Sequence, residues 1–197
     1  MGPELFHFNS KRLVYRAPEF NETDKNFIHS QIVNDPTVQT MSSERLKRPL
    51  PEKAAEEFLK LIQDSLLGVI ICLPASDNDS DPVPIGHLNV FRTSPAHTDH
   101  HRCASLGISL APEYRGQGYG GEAINWALDW AFQHAGLHRV NLQAFSYNQN
   151  ALKLYRKLGF VEEGRERECI YHCRTWHDIV SFSMLEHEWE LLRNSNQ

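Results

Sequence analysis

The sequence predicts a single α/β domain of the α+β kind, spanning residues 1–197: a mixed, mostly antiparallel sheet of about seven strands with helices on both faces. Three observations lead there. Strand-like and helix-like segments follow one another in the order β-α-α-β-β-β-α-β-α-β-β. A strand at 106–110 runs through Pro112 into four glycines, Gly116, Gly118, Gly120 and Gly121, and at once into a helical pattern. With 197 residues, 41% hydrophobic and 23% charged, the chain is ordinary for a soluble globular protein and long enough to bury a core.

Each element has its own warrant. Residues 13–16 make the first strand, after a tail at 1–12 that is expected to be loosely held. Asn21 or Thr23 can cap a helix running to about Asn34, with Phe27, Ile28, Ile32 and Val33 on its apolar side. Asp35-Pro36 stops it. Residues 40–50 are polar and basic without a period, and read as a loop. Pro51 suits the first turn of a helix carrying Ala54, Ala55, Phe58, Leu59 and Ile62. Residues 68–73 and 85–91 read as a strand pair joined by a long solvated turn at 74–84. After the glycines, Ala123, Ala127 and Ala131 recur every four positions, as do Ile124, Leu128 and Phe132. Val140, Leu142 and Ala144 mark the next strand. Ala151, Leu154, Tyr155 and Leu158 follow the i, i+3, i+4, i+7 rule of a short helix that Gly159 ends. Residues 160–164, 169–172 and 178–185 supply the closing strands, and 186–193 a helical turn.

Several functions are excluded by totals. A net charge of −5 offers no basic patch for nucleic acid. No apolar run approaches the length of a membrane span, and the N-terminus lacks the segments of a signal peptide. Cys72, Cys103, Cys169 and Cys173 show no disulfide-type spacing, so reduced thiols and a cytoplasmic location are expected. No metal is expected either. His97, His100, His101 and Asp99 lie in a loop at 93–102 without ligand spacing, and Cys169, His172 and Cys173 would point in alternating directions on a strand.

The strand, glycine turn and helix start together form an anion site. Amides can converge where no Cβ intervenes, and a helix N-terminus adds partial positive charge. Arg115 is expected to place a full charge at the mouth. No Gly-Lys-Ser/Thr is present, which argues against a P-loop. Gly116-x-Gly118-x-x-Gly121 matches the dinucleotide fingerprint formally, but the next strand, Arg139–Phe145, carries no acid at its end.

Arg115-Gly-Gln-Gly118-Tyr-Gly120 instead resembles the Arg/Gln-x-x-Gly-x-Gly/Ala signature of the GNAT superfamily of N-acetyltransferases. A second block, Asn148-x-x-Ala151-x-x-Leu154-Tyr155-x-x-x-Gly159-Phe160, follows in the order that family shows. The ending, from Gly164 through Tyr171 to Trp176 and Asp178, is similar to the RimJ/RimL-type branch. The resemblance implies the GNAT fold, acetyl-CoA as co-substrate, an amine acceptor (a peptide N-terminus or a small molecule), and a monomer or homodimer. It places the pyrophosphate on Arg115, Gly116, Gln117, Gly118, Tyr119 and Gly120. The pantetheine arm would lie against the backbone of Ile108, Ser109 and Leu110, with the Leu110 N–H polarising the thioester carbonyl.

By the same resemblance Tyr155 is the general acid, since a phenol is a suitable proton donor to a thiolate. Its spacing alone would equally make it a core aromatic. Asn148 would contact the cofactor or cap its helix. The general base is open: Gln143 and Ala104 stand where relatives carry Glu, which leaves His87 or Asp178, or an amine that arrives neutral. A non-catalytic acyl-CoA-binding module is the alternative function.

Overall fold

The computed structural model describes residues 6–75, 81–93 and 95–195. Its strands are β1 (Val14–Arg16), β2 (Leu67–Leu73), β3 (Val83–Phe91), β4 (Cys103–Leu110), β5 (Arg139–Phe145), β6 (Val161–His172) and β7 (Thr175–Leu185). They form one seven-stranded sheet in the order β1-β2-β3-β4-β5-β7-β6. All pairings are antiparallel except that of β4 with β5. The helices are α1 (Glu22–Phe27), α2 (Pro36–Ser42), α3 (Lys53–Gln63), α4 (Tyr119–Asp129), α5 (Gln149–Lys157) and α6 (Glu186–Asn194). This is the mixed sheet with helices on both faces that the sequence predicts.

Two apolar cores lie on opposite faces. Leu88 and Val90 of β3, Ala104 and Leu106 of β4, and Val140 and Leu142 of β5 pack with Ala123, Ile124, Ala127 and Leu128 of α4. Across the sheet, Ile70 and Cys72 of β2 pack with Phe27, Ile28, Ile32, Leu59 and Ile62 from α1, its extension and α3. Burying one such aliphatic side chain contributes about 2 kcal/mol, which holds helices too short to persist alone.

The first helix starts as expected: the Asn21 side chain accepts the Asp24 N–H at 2.8 Å. Asp24 is fully buried, accepting from the Arg16 guanidinium at 2.8 and 2.5 Å and from the Glu19 N–H at 2.8 Å, which pins α1 to β1. α1 and α4 each run on into a wider turn, Ile28–Val33 and Trp130–His134, closed by bonds from Asn34 N–H to His29 C=O and from Ala135 N–H to Trp130 C=O, both 3.0 Å.

Three expectations are corrected. The stretch read as ending at Asp35-Pro36 and then as loop contains α2. Asp35 accepts the Val38 N–H at 2.8 Å and Pro36 takes the first turn, so the dipeptide ends one helix and begins another. The N-terminal tail is not loose from Phe6 onward: the Trp126 indole donates to His7 C=O at 2.9 Å, Phe6 packs 5.4 Å from that ring, and Tyr15 N–H bonds Phe8 C=O at 2.9 Å. The closing strands are two long ones, because β6 continues through Arg165–Glu168 by way of register breaks after Glu162 and after Glu166. The histidine loop folds as a tight turn, Ala96–His101, and no group of three metal-ligating side chains occurs among the described residues. Residues 76–80 of the expected solvated turn lie outside the described residues.

Candidate functional site

β4 and β5 begin as neighbours and then part. Only Cys103, Ala104 and Ser105 pair with Arg139, Val140 and Asn141. Beyond them opens a cleft of about 1100 Å³. Its walls include Ile108 and Leu110 of β4, Gln143 and Phe145 of β5, the glycine turn, and Tyr155 of α5.

Register decides which main-chain groups face this gap. The Ala111 N–H donates to Ile85 C=O at 2.8 Å, while Gly86 pairs with Leu110. Gly86 and Leu110 are therefore a non-hydrogen-bonded pair, and Leu110 turns its own N–H and C=O away from β3 into the cleft. By alternation Ile108 does the same. Ser109 spends its main-chain groups on His87 and meets the cleft only as lining.

At the end of β4 the chain turns through Gly116 (φ +74°) and Gly118 (φ +86°), and α4 begins at Tyr119. A side chain at Gly116 would meet open space, so that glycine serves backbone conformation alone; at Gly118 a Cβ would also stand 3.3 Å from the Arg12 guanidinium. The amides of Gly116 through Gly121 donate to no acceptor among the described residues. A run of unspent N–H groups at the start of a helix, beside an open strand edge, is a cradle for an anion.

Of the expected ligands, Arg115 is arranged differently from expectation. Its Nε donates to Leu110 C=O at 2.8 Å and its Nη2 to Asp35 at 2.6 Å, so its charge is already paired. Gln117 reaches back to Glu113 C=O at 2.7 Å. The Tyr119 ring lies under Arg12, whose guanidinium carbon is 4.5 Å from the ring centre. No motif in the sequence marks Arg12. It donates to Glu122 at 2.8 Å and to Gln117 C=O at 3.1 Å, joining the N-terminal segment to the glycine turn. Burial pulls the Glu122 carboxyl upward, but hydrogen bonds from Ser10 and Arg12 outweigh it and hold it below the ordinary range. Nothing local to residue 12 announces a partner at 122.

Tyr155 is nearly buried, 9% exposed, between Phe182 (5.8 Å) and Phe160 (6.1 Å). It is part of the core, as its spacing suggests, and it also lines the cleft. Its hydroxyl has no hydrogen-bond partner among the described residues, and burial pushes its pKa up to about 12, so the phenol keeps its proton. Asn148 caps α5, accepting the Ala151 N–H at 3.2 Å, and donates to Met41 C=O at 3.3 Å.

The structure does not bring the proposed bases to the cleft. His87 is 4% exposed on the opposite face of β3, edge-on to Phe58 of α3 at 4.9 Å, with Nδ1 unpartnered and its pKa driven down to about 4 by burial. It does not line the cleft, because α3 covers it. Asp178 accepts the Glu168 N–H at 3.1 Å on the β6–β7 pair, also outside the lining. Gln143 does line the cleft, donating to Ser181 at 3.3 Å, and Ala104 is core. Of the carboxylates in the walls, Glu163 is clamped by Arg139, whose hydrogen bond holds it below the usual range, and Glu44 is the other. No imidazole lines the cleft among the described residues.

A mixed sheet split between two parallel strands, with an amide cradle at one end of the split, defines a scaffold for an extended ligand that ends in phosphate. The chain belongs to the GNAT acetyltransferase family: the profile of the Acetyltransferase (GNAT) domain matches residues 12–161. Spermidine N(1)-acetyltransferase of Vibrio cholerae is 35% identical over 89 residues, 45% of this chain and 51% of that protein. The uncharacterized N-acetyltransferase YnaD of Bacillus subtilis is 25% identical over 185 residues, 93% of this chain and 99% of the relative. In the first of these, as in the Bacillus subtilis ribosomal N-acetyltransferase homologue YdaF (33% over 90 residues), the match spans about half the relative's length. Among solved structures, the Vibrio cholerae spermidine N-acetyltransferase in complex with CoA and spermine has a TM-score of 0.71 at 25% identity, covering 92% of this chain and 99% of that one. A Bacillus anthracis GNAT-family acetyltransferase reaches 0.73 at 22% identity, over 91% and 98%, which bears on the fold alone. No helix among the described residues is long and apolar enough to cross a membrane.

Proposed function

We propose that the protein is an N-acetyltransferase that moves the acetyl group of acetyl-CoA to a primary amine by direct attack while both are bound. The observation that carries this reading is the run of unspent amides from Gly116 to Gly121 at the head of a split sheet. Acetyl-CoA would supply the thioester. The cradle amides would hold its diphosphate, the Ile108 main chain would offer strand-like partners while the Leu110 C=O stays with Arg115, and the Leu110 N–H would polarise the acetyl carbonyl. As the C–N bond forms and the C–S bond breaks, Tyr155 holds the proton that the leaving sulfur takes.

Among the described residues no imidazole lines the cleft, Glu163 is held by Arg139, and Glu44 is the one carboxylate of the walls not so clamped; the amine attacks in its neutral form, its surplus proton leaving through water. The rate then rises with pH toward the amine's own pKa. Relatives named for spermidine support a small amine, and the resemblance of the chain's ending to the RimJ/RimL-type branch supports a peptide N-terminus. Thiol release from acetyl-CoA, measured across spermidine, amino acids and short peptides, decides between them. Binding of CoA with no amine-dependent release would instead favour the non-catalytic module, which Gln143 and Ala104 in place of Glu otherwise fit.

A further inference from the structure

α2 lies across the gap and is tied down at both ends. At its start, Asp35 accepts both the Val38 N–H at 2.8 Å and the Arg115 guanidinium at 2.6 Å, and Arg115 in turn grips Leu110 C=O at 2.8 Å, at the end of β4. At its finish, Thr40 C=O accepts from the Tyr147 hydroxyl at 2.6 Å and Met41 C=O from Asn148 at 3.3 Å, both residues on the turn that follows β5. Each end thus hangs from one of the two strands that diverge. Along this segment Thr37, Val38, Met41 and Ser42 line the cleft. Gln39 braces the segment behind it, donating to Val33 C=O at 2.8 Å and to Arg48 C=O at 3.0 Å, and accepting from Arg48 N–H at 3.1 Å.

From this arrangement we infer that the Arg115 side chain is a positioning residue for the acceptor wall and not the counter-charge of the diphosphate. The guanidinium is a planar fork, and its two partners here, a carbonyl on β4 and the carboxylate that caps α2, use that fork. Asp35 neutralises the charge, while the backbone just past Arg115 remains free for phosphate. One side chain therefore sets the distance between the residue that presents its N–H to the acetyl carbonyl and the helix that walls the approaching amine. The inference rests on the proposed acetyl transfer for its meaning, but its test does not.

The test uses the full chain and three variants, Arg115→Ala, Arg115→Lys and Asp35→Ala, with two readouts: the Kd for CoA by calorimetry, and hydrogen exchange of the amides of residues 37–42. The expected result is that all three variants speed exchange in α2 about tenfold or more, as loss of an anchoring ion pair should, while the Kd for CoA stays within about threefold. Lysine keeps the charge but cannot span both partners, so its failure to restore α2 is the signature of positioning. Combining Arg115→Ala with Asp35→Ala should loosen α2 no further, since the two act as one contact. Weakened CoA binding in Arg115→Ala that Arg115→Lys restores would overturn the inference, whatever α2 does. So would unchanged exchange in α2. If the wild-type chain does not bind CoA, the proposed function falls, and the exchange measurement still decides whether Arg115 holds α2.

Discussion

The two ends of the cleft are made of different material. The cradle at the start of α4 is main chain: glycines at positive φ, amides without partners, and a helix N-terminus. The opposing wall is side chain, built from Arg115, Asp35, Tyr147 and Asn148 reaching across tens of residues to hold α2. In the proposed reading, the diphosphate is gripped by main-chain groups that substitution leaves in place, and the amine is met by side chains that substitution can change.

That contrast can be broken most forcefully at Tyr155, the side chain asked to do chemistry. Tyr155→Phe keeps the ring between Phe160 and Phe182, so CoA affinity should hold within about threefold while turnover drops by about 10²-fold or more. Equal turnover in acetyl transfer assays would remove the phenol from the mechanism. The next largest effect lies behind the wall, at His87. Its folded pKa of about 4 lies below the ordinary value of 6.5, so the fold favours the neutral ring. The stability this contributes is complete above pH 6.5. It is lost as the pH falls toward 4, because the unfolded chain takes up a proton that the folded chain refuses, and the loss amounts to roughly 3 kcal/mol by pH 4. In His87→Leu, denaturation midpoints at pH 7 and pH 4.5 should differ by less than in the wild type; an identical pH dependence would mean His87 does not titrate with unfolding.

A smaller effect tests the cradle. Gly118→Ala forces a Cβ into a left-handed conformation and against Arg12, a strain of about 1–2 kcal/mol, and CoA affinity should fall by about tenfold. Unaltered affinity by calorimetry would separate that turn from the diphosphate. Least of all, Asn148→Ala removes the α5 cap and one anchor of α2, costing about 1 kcal/mol in a urea melt. A larger loss in CoA affinity than in stability would mark Asn148 as a cofactor ligand as well as a cap.

The same division explains what was legible. The glycine turn, the apolar repeat of α4 and the short α5 with Tyr155 carry their signals within a few residues, so the cradle and the expected acid could be placed by number. α2 could not, because Asp35-Pro36 carries a stop and a start in the same two residues, and the helix it starts buries none of its residues. Arg12 gave no sign, since its partners Gln117 and Glu122 are brought to it only by the fold. His87 looked available on a strand, but strand position says nothing of α3 lying over it. The long β6 was divided because nearly every residue in it is exposed, leaving no apolar alternation to read.

The borders of the sheet complete this division. β1 offers only three residues, and β6 presents Glu162, Glu163, Arg165, Glu166, Arg167 and Glu168 together with two slips in its ladder. A strand from another molecule would find no long, flat, neutral rim to extend, and self-association by edge-to-edge stitching is thereby discouraged. Guarded outside and parted within, the sheet keeps its open hydrogen-bonding capacity in the middle, where β4 and β5 part, and not at its rims.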